Sequence, residues 1–124
     1  MPDFDKYLVL RGRRSIPAVA RAIMAWQRIQ DRATTITVYR DGAALAGTQT
    51  VRIEYSTIAN ERRGAGEASV RDIVLFGVMD HPDVAVTDTN LKKDDQFSLA
   101  DGIYRVLDVI VIPGEVQARA ERIS

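Results

Sequence analysis

Between the turn-forming pairs Asp101-Gly102 and Pro113-Gly114 the chain reads Ile103-Tyr104-Arg105-Val106-Leu107-Asp108-Val109-Ile110-Val111-Ile112. Tyr104, Val106, Asp108, Ile110 and Ile112 alternate with Arg105, Leu107, Val109 and Val111. Both faces of the run are largely apolar, which predicts a strand buried on two sides. Upstream, Phe97 and Leu99 alternate with Gln96 and Ser98 and lead into Ala100-Asp101-Gly102, where Asp-Gly readily supplies the positive-φ positions of a hairpin turn. Downstream, Val116, Ala118 and Ala120 point one way while Gln117, Arg119 and Glu121 point the other, the alternation of a half-solvated strand. A three-strand meander therefore ends the chain, with Phe97, Tyr104, Val106 and Ile110 in its core.

A chain of 124 residues has room for one domain, burying about 65% of its unfolded surface. Its 46% apolar and 27% charged residues are ordinary for a globular protein with a real core. Seventeen basic residues balance seventeen acidic ones, which argues against affinity built on neutralising many phosphates. The absence of cysteine removes disulfides, thiolate metal sites and thiol nucleophiles together, and fits a reducing cytoplasm. No apolar run reaches the length of a signal peptide or membrane span, so a soluble chain is expected.

The remaining elements follow from periodicity. Residues 1–15 form an N-terminal arm with one apolar run, Tyr7-Leu8-Val9-Leu10, followed by Arg11-Gly12-Arg13-Arg14; it reads as a small strand or a docking arm. Ser15 and Pro17 open a helix over residues 16–29, in which Ile16, Val19, Ala20, Ile23 and Trp26 recur at helical spacing. Its opposite face, with Arg14, Ala18, Arg21, Ala25 and Arg28, is a basic stripe read as solvated, with contact to DNA or an acidic partner as the alternative. Residues 34–40 are a β-branched strand closed by Asp41-Gly42. Val51, Ile53 and Tyr55 mark a second, half-buried strand. Residues 56–69 lack any period and contain Gly64 and Gly66, predicting a long mobile loop. Residues 70–79 return to strand character, with Asp72 near an end or bulge, until His81-Pro82-Asp83 breaks it.

Chemistry-bearing residues are sparse. His81 is the only histidine, and no second imidazole or nucleophile stands near it to form an acid-base or metal site. Arg62-Arg63-Gly64-Ala65-Gly66-Glu67 lacks the Lys-Ser/Thr ending of a phosphate-cradling loop and reads as an exposed tip. Lys92-Lys93-Asp94-Asp95 reads as a turn whose charges cancel at short range. Asp88, Asp94, Asp95 and Asp101 match no metal-loop spacing. Catalytic, cofactor and metal residues are therefore assigned to none of the chain, and an enzyme is not expected.

In its order of elements and its C-terminal pattern the chain resembles the head-to-tail connector proteins of tailed bacteriophages, the head-closure or stopper family of the neck. Leu91, Asp94, Asp95, Phe97, Gly102, Tyr104, Val106 and Val109 fill the family's pattern, and residues 116–121 stand for its closing strand. The resemblance spans residues 16–121. Asp94 occupies a place where the family usually has Gly, a change Asp absorbs by visiting the left-handed region more readily than most residues.

The resemblance implies a mainly β fold: a small antiparallel β-barrel over residues 16–124 with an N-terminal helix and a projecting loop at 56–69. It implies a structural virion protein, assembled in the bacterial host cytoplasm. Copies form a homo-oligomeric ring, a dodecamer by analogy, between the portal or its adaptor and the tail tube or tail-terminator protein. That ring helps retain the packaged DNA. In it, Arg62, Arg63 and Glu67 of the loop and Arg11, Arg13 and Arg14 of the arm become candidate subunit or DNA-channel contacts, with no membrane partner and no cofactor. A tail-completion or tail-terminator protein of the same virion is an alternative. A barrel binding single-stranded nucleic acid is another, but it needs aromatic platforms and a positive groove that this composition does not favour.

Overall fold

The computed structural model describes residues 16–55 and 72–124. The helix α1 (Ile16–Asp31) is followed by strands β1 (Thr34–Ile36), β2 (Tyr39–Arg40), β3 (Ala43–Ala44), β4 (Gln49–Tyr55), β5 (Asp72–Val78), β6 (Gln96–Leu99), β7 (Gly102–Ile112) and β8 (Glu115–Arg122). The fold is mainly β, as the sequence predicts: one antiparallel sheet, in the order β1-β4-β5-β8-β7-β6-β2-β3, curled into a half-barrel with the helix at its N-terminus. The loop expected at 56–69 and the arm expected at 1–15, with the expected Ser15 cap, lie outside the described residues.

The curl has an identifiable cause. Residues 34–40, expected as one strand, bend at Thr37 and Val38, so that β1 pairs with β4 while β2 pairs with β6 and β3. One continuous segment thus carries strands at opposite ends of the sheet order and draws those ends together. Val38, at the bend, is buried. The β2–β3 hairpin turns on Asp41 (φ 54°) and Gly42 (φ 82°), the two positive-φ positions of a type I′ turn. The short β3 that follows has no apolar alternation to announce it.

The C-terminal meander forms as expected, β6 pairing β7 and β7 pairing β8. Phe97 and Tyr104 face each other across β6 and β7, fully buried and stacked at 5.7 Å between ring centroids. In the β6–β7 turn only Gly102 has a positive φ, not Asp101. The expectation of a core strand fails in the second half of β7. A register shift between Val106 and Asp108 places a bulge at Leu107, and a bulge inserts one unpaired residue, reversing the alternation. Tyr104 and Val106 point inward before it; beyond it Val109 takes the inner face, opposite buried Ala118, and Ile110 stands outside opposite Gln117. Ile110 is 61% exposed and is not a core residue.

The helix extends to Asp31 and its buried stripe is rotated from the predicted one. Val19 and Ile23 are buried as expected, Ala20 and Trp26 only half-buried, while Ala22, Ala25 and Ile29 are buried. The placing of Ala25 on a solvated face is thereby corrected. Small side chains let the helix approach closely: a Cβ on Gly114 would lie 2.7 Å from both the Ala18 carbonyl oxygen and the Ala22 nitrogen.

Candidate assembly surface

The predicted contact residues Arg62, Arg63, Glu67, Arg11, Arg13 and Arg14 all fall outside the described residues. Within the described residues, three of the four acidic side chains weighed for a cation, those of Asp95, Asp88 and Asp101, are separately engaged. Asp95 is buried and accepts hydrogen bonds from Arg40 Nε at 2.9 Å, from Arg40 Nη2 at 2.8 Å and from the Lys92 N–H at 2.7 Å. Asp88 accepts from the Asp80 N–H, and Asp101 from the Tyr104 hydroxyl. Among the described residues no group of three or more His, Cys, Asp or Glu side chains is placed to hold a metal ion. His81 is buried, and its Nδ1 accepts the Asp83 N–H at 3.0 Å. That bond shapes the loop after β5.

The hydrogen bond to Asp95 raises the Arg40 pKa above the ordinary arginine value, overcoming the opposing effect of burial, with the charges of Asp95 and Asp41 adding to it. Arg40 Nη2 also donates to Asn90 Oδ1, and Asn90 exchanges two hydrogen bonds with Gln49. These polar groups tie β2 and β4 to the long connection before β6. They are consumed in holding the fold.

No family model, curated protein or solved structure matches this chain.

What the surface offers is apolar. Ile110, Val111 and Ile112 are consecutive and are 61%, 53% and 39% exposed. Cross-strand pairing puts Ile110 and Ile112 on the outer face, opposite Gln117 and Glu115, and Val111 on the inner face, opposite Val116. The helix flanks the same hairpin. Arg21 Nη1 donates to the Pro113 carbonyl at 2.9 Å, Arg28 Nη1 reaches Glu115 at 3.3 Å, and Met24, one turn from each on that helix face, is 62% exposed. A cavity of about 300 Å³ between Met24, Arg21, Arg28 and Glu115 completes this side.

Among the described residues the edge of β7 is open as well. β6 pairs only with residues 102–105, and the Val106 N–H and C=O are taken by Asp95 and Asp94. Beyond them no strand pairs the far edge of β7 among the described residues. The sequence signal for this surface is the aliphatic run at 109–112. The bulge that turns it outward has no such signal.

Proposed function

We propose that this chain is a structural subunit of the neck of a tailed bacteriophage, one of the copies of a ring that joins the portal or adaptor to the tail and helps retain packaged DNA. The observation that carries the reading is the exposure of Ile110, Val111 and Ile112 on the longest strand. A stable free monomer rarely leaves aliphatic residues contiguous and open on both faces of a strand, whereas a ring subunit covers such a surface with its neighbour. An apolar patch covered by a different surface of the next copy is the head-to-tail contact that closes a ring. The mainly β fold and the left-handed Asp94, at φ 73°, also agree with what the resemblance implies. Location in the virion neck after assembly in the host cytoplasm, and contacts with portal, tail and DNA, belong to the same proposal.

Charged substitutions on the outer face test it. Ile110→Glu with Ile112→Glu should leave the melting midpoint close to wild type and prevent filled heads from joining tails. Normal yields of tailed, DNA-filled particles from this folded variant would overturn the assignment of this surface.

A further inference from the structure

The cavity beside the helix has an apolar floor and a basic rim. Ala20, Met24 and Ala25 line it from the helix and Glu115 from β8, with Arg21 and Arg28 at its borders. Glu115 holds Arg28 at 3.3 Å, whereas Arg21 donates to the neutral Pro113 carbonyl and pairs with no carboxylate among the described residues. The helix carries no acidic residue before Asp31. Ile112 stands across the strand pair from Glu115, so the exposed outer face of β7 continues the apolar surface away from the cavity.

A complementary projection stands on the other side of the helix. The connection after β5 carries Asp80, Asp83 and Asp88 and no lysine or arginine over residues 79–90, and at its turn Val84 is 85% exposed. The loop is braced in advance. Its Ala85 N–H donates to Asp83 Oδ1 at 2.9 Å, its Val86 N–H to the Asp83 carbonyl at 3.0 Å and its Asp80 N–H to Asp88 Oδ1 at 2.8 Å. A pre-formed projection loses little conformational freedom on docking. Val86 roots the loop against the cluster of Ala22, Ala25, Ile29 and Val78, beside Trp26. Trp26 and Met24 are two residues apart, about 200° around a helix. Loop and groove therefore face away from each other and cannot meet within one chain.

We infer that the 80–88 loop of one copy docks in the groove of the next, with Val84 against Met24 and the Asp83 carboxylate paired with Arg21. Charge complementarity selects a second copy as the occupant: the loop sets an aliphatic tip among carboxylates, and the groove sets an apolar floor between guanidinium groups. Each copy has one loop and one groove at separate places, so the contact runs head to tail and repeats around a ring. It deepens the ring reading, on which it rests, by naming the two surfaces through which the copies meet.

Disulfide trapping tests the contact cleanly, because the chain has no cysteine of its own. Purified Val84→Cys and Met24→Cys chains are mixed and oxidised at about 0.5 mM, where even a millimolar contact is populated. Residues 84 and 24 should link at least about tenfold faster than either variant links to itself, and than Val84→Cys links to Gln30→Cys on another face of the helix. A chain carrying both Val84→Cys and Met24→Cys should give a ladder of oligomers. Adding Arg21→Glu to the Met24→Cys chain, or Asp83→Asn to the Val84→Cys chain, should slow the mixed link about tenfold at low salt with the melting midpoint unchanged. Equal rates for all pairs, or a mixed link indifferent to both charge changes, would overturn the proposal. The trapping needs no virion. A trapped contact in a chain found outside the neck would remove the neck reading and keep the contact, whereas an untrapped chain found in the neck would remove the contact alone.

Discussion

Arg40 and Asp95, 55 residues apart in sequence, form a two-bonded ion pair in which the carboxylate is buried and the guanidinium largely covered. The pair fastens β2 to the turn that precedes β6, where the curled sheet's two ends approach. The remaining acceptor capacity of Asp95 is used by the Lys92 N–H, and its carbonyl accepts the Val106 N–H. Such a carboxylate is expensive to leave alone: removing one partner of a buried pair costs about 3 to 5 kcal/mol.

Arg40→Leu should therefore destabilise the fold by about 3 kcal/mol in urea unfolding, and Asp95→Ala by a similar amount. The double variant should lose less than the sum of the two. Because the Arg40 pKa is raised on folding, its contribution is complete below the unfolded arginine value and is lost only as pH rises through the higher folded one. The difference between wild type and Arg40→Leu should accordingly stay constant from about pH 6 to about pH 9. A difference that falls steadily across that window would contradict the pairing.

Packing in the two halves of the sheet gives a second contrast. Leu75, fully buried on the central strand β5, should cost about 2 to 5 kcal/mol as Leu75→Ala. Ile110→Ala, on the outer face beyond the bulge, should stay within about 0.5 kcal/mol of wild type. Equal losses, read from the same denaturant curves, would return Ile110 to the core.

The difference between those residues shows how far the sequence carries the fold and where it stops. Turn chemistry is local, so Asp41-Gly42, Ala100-Asp101-Gly102 and Pro113-Gly114 mark three hairpins from residue type alone. The left-handed place of Asp94 is expected only through the resemblance, which sets it where the family usually has Gly; residue type alone marks Lys92-Lys93-Asp94-Asp95 no further than as a turn. The bulge at Leu107 has no comparable signature, because the residue inserted is an ordinary leucine, and its effect is to invert the inward and outward assignments along the rest of β7, while Val116, Ala118 and Ala120 on β8 keep theirs. The bend at Thr37 and Val38 is also hidden: both halves of the segment are good strand, and only their different partners reveal the break. The Arg40 and Asp95 pair is invisible in sequence because the nearest cations along the chain are Lys92 and Lys93, whereas the cation that Asp95 holds comes from β2. For the proposed surface, the aliphatic run is legible and its exposure is not.

Helix docking supplies a third test. Gly114 has φ 89° and touches the helix backbone where a Cβ would stand, so Gly114→Ala combines an unfavourable left-handed conformation with overpacking. A loss of about 2 to 4 kcal/mol is expected in thermal or urea unfolding. Wild-type stability would mean that the helix does not sit against the turn.

The arginines of the loop expected at 56–69 are tested by function. Arg62→Ala with Arg63→Ala should leave the stability of the chain within about 0.5 kcal/mol and lower the yield of DNA-filled, tailed particles. If yield and DNA retention both match wild type, the loop makes no contact in the channel, and the neck reading stands on the β7 surface alone.

The central claim, a ring subunit of the phage neck, is tested most directly by electron cryomicroscopy of tailed particles that carry this chain. The account predicts a ring of its copies between portal and tail, with Ile110, Val111 and Ile112 buried between adjacent subunits. Density for the chain elsewhere in the particle, or a neck ring in which those three residues face solvent, would contradict it.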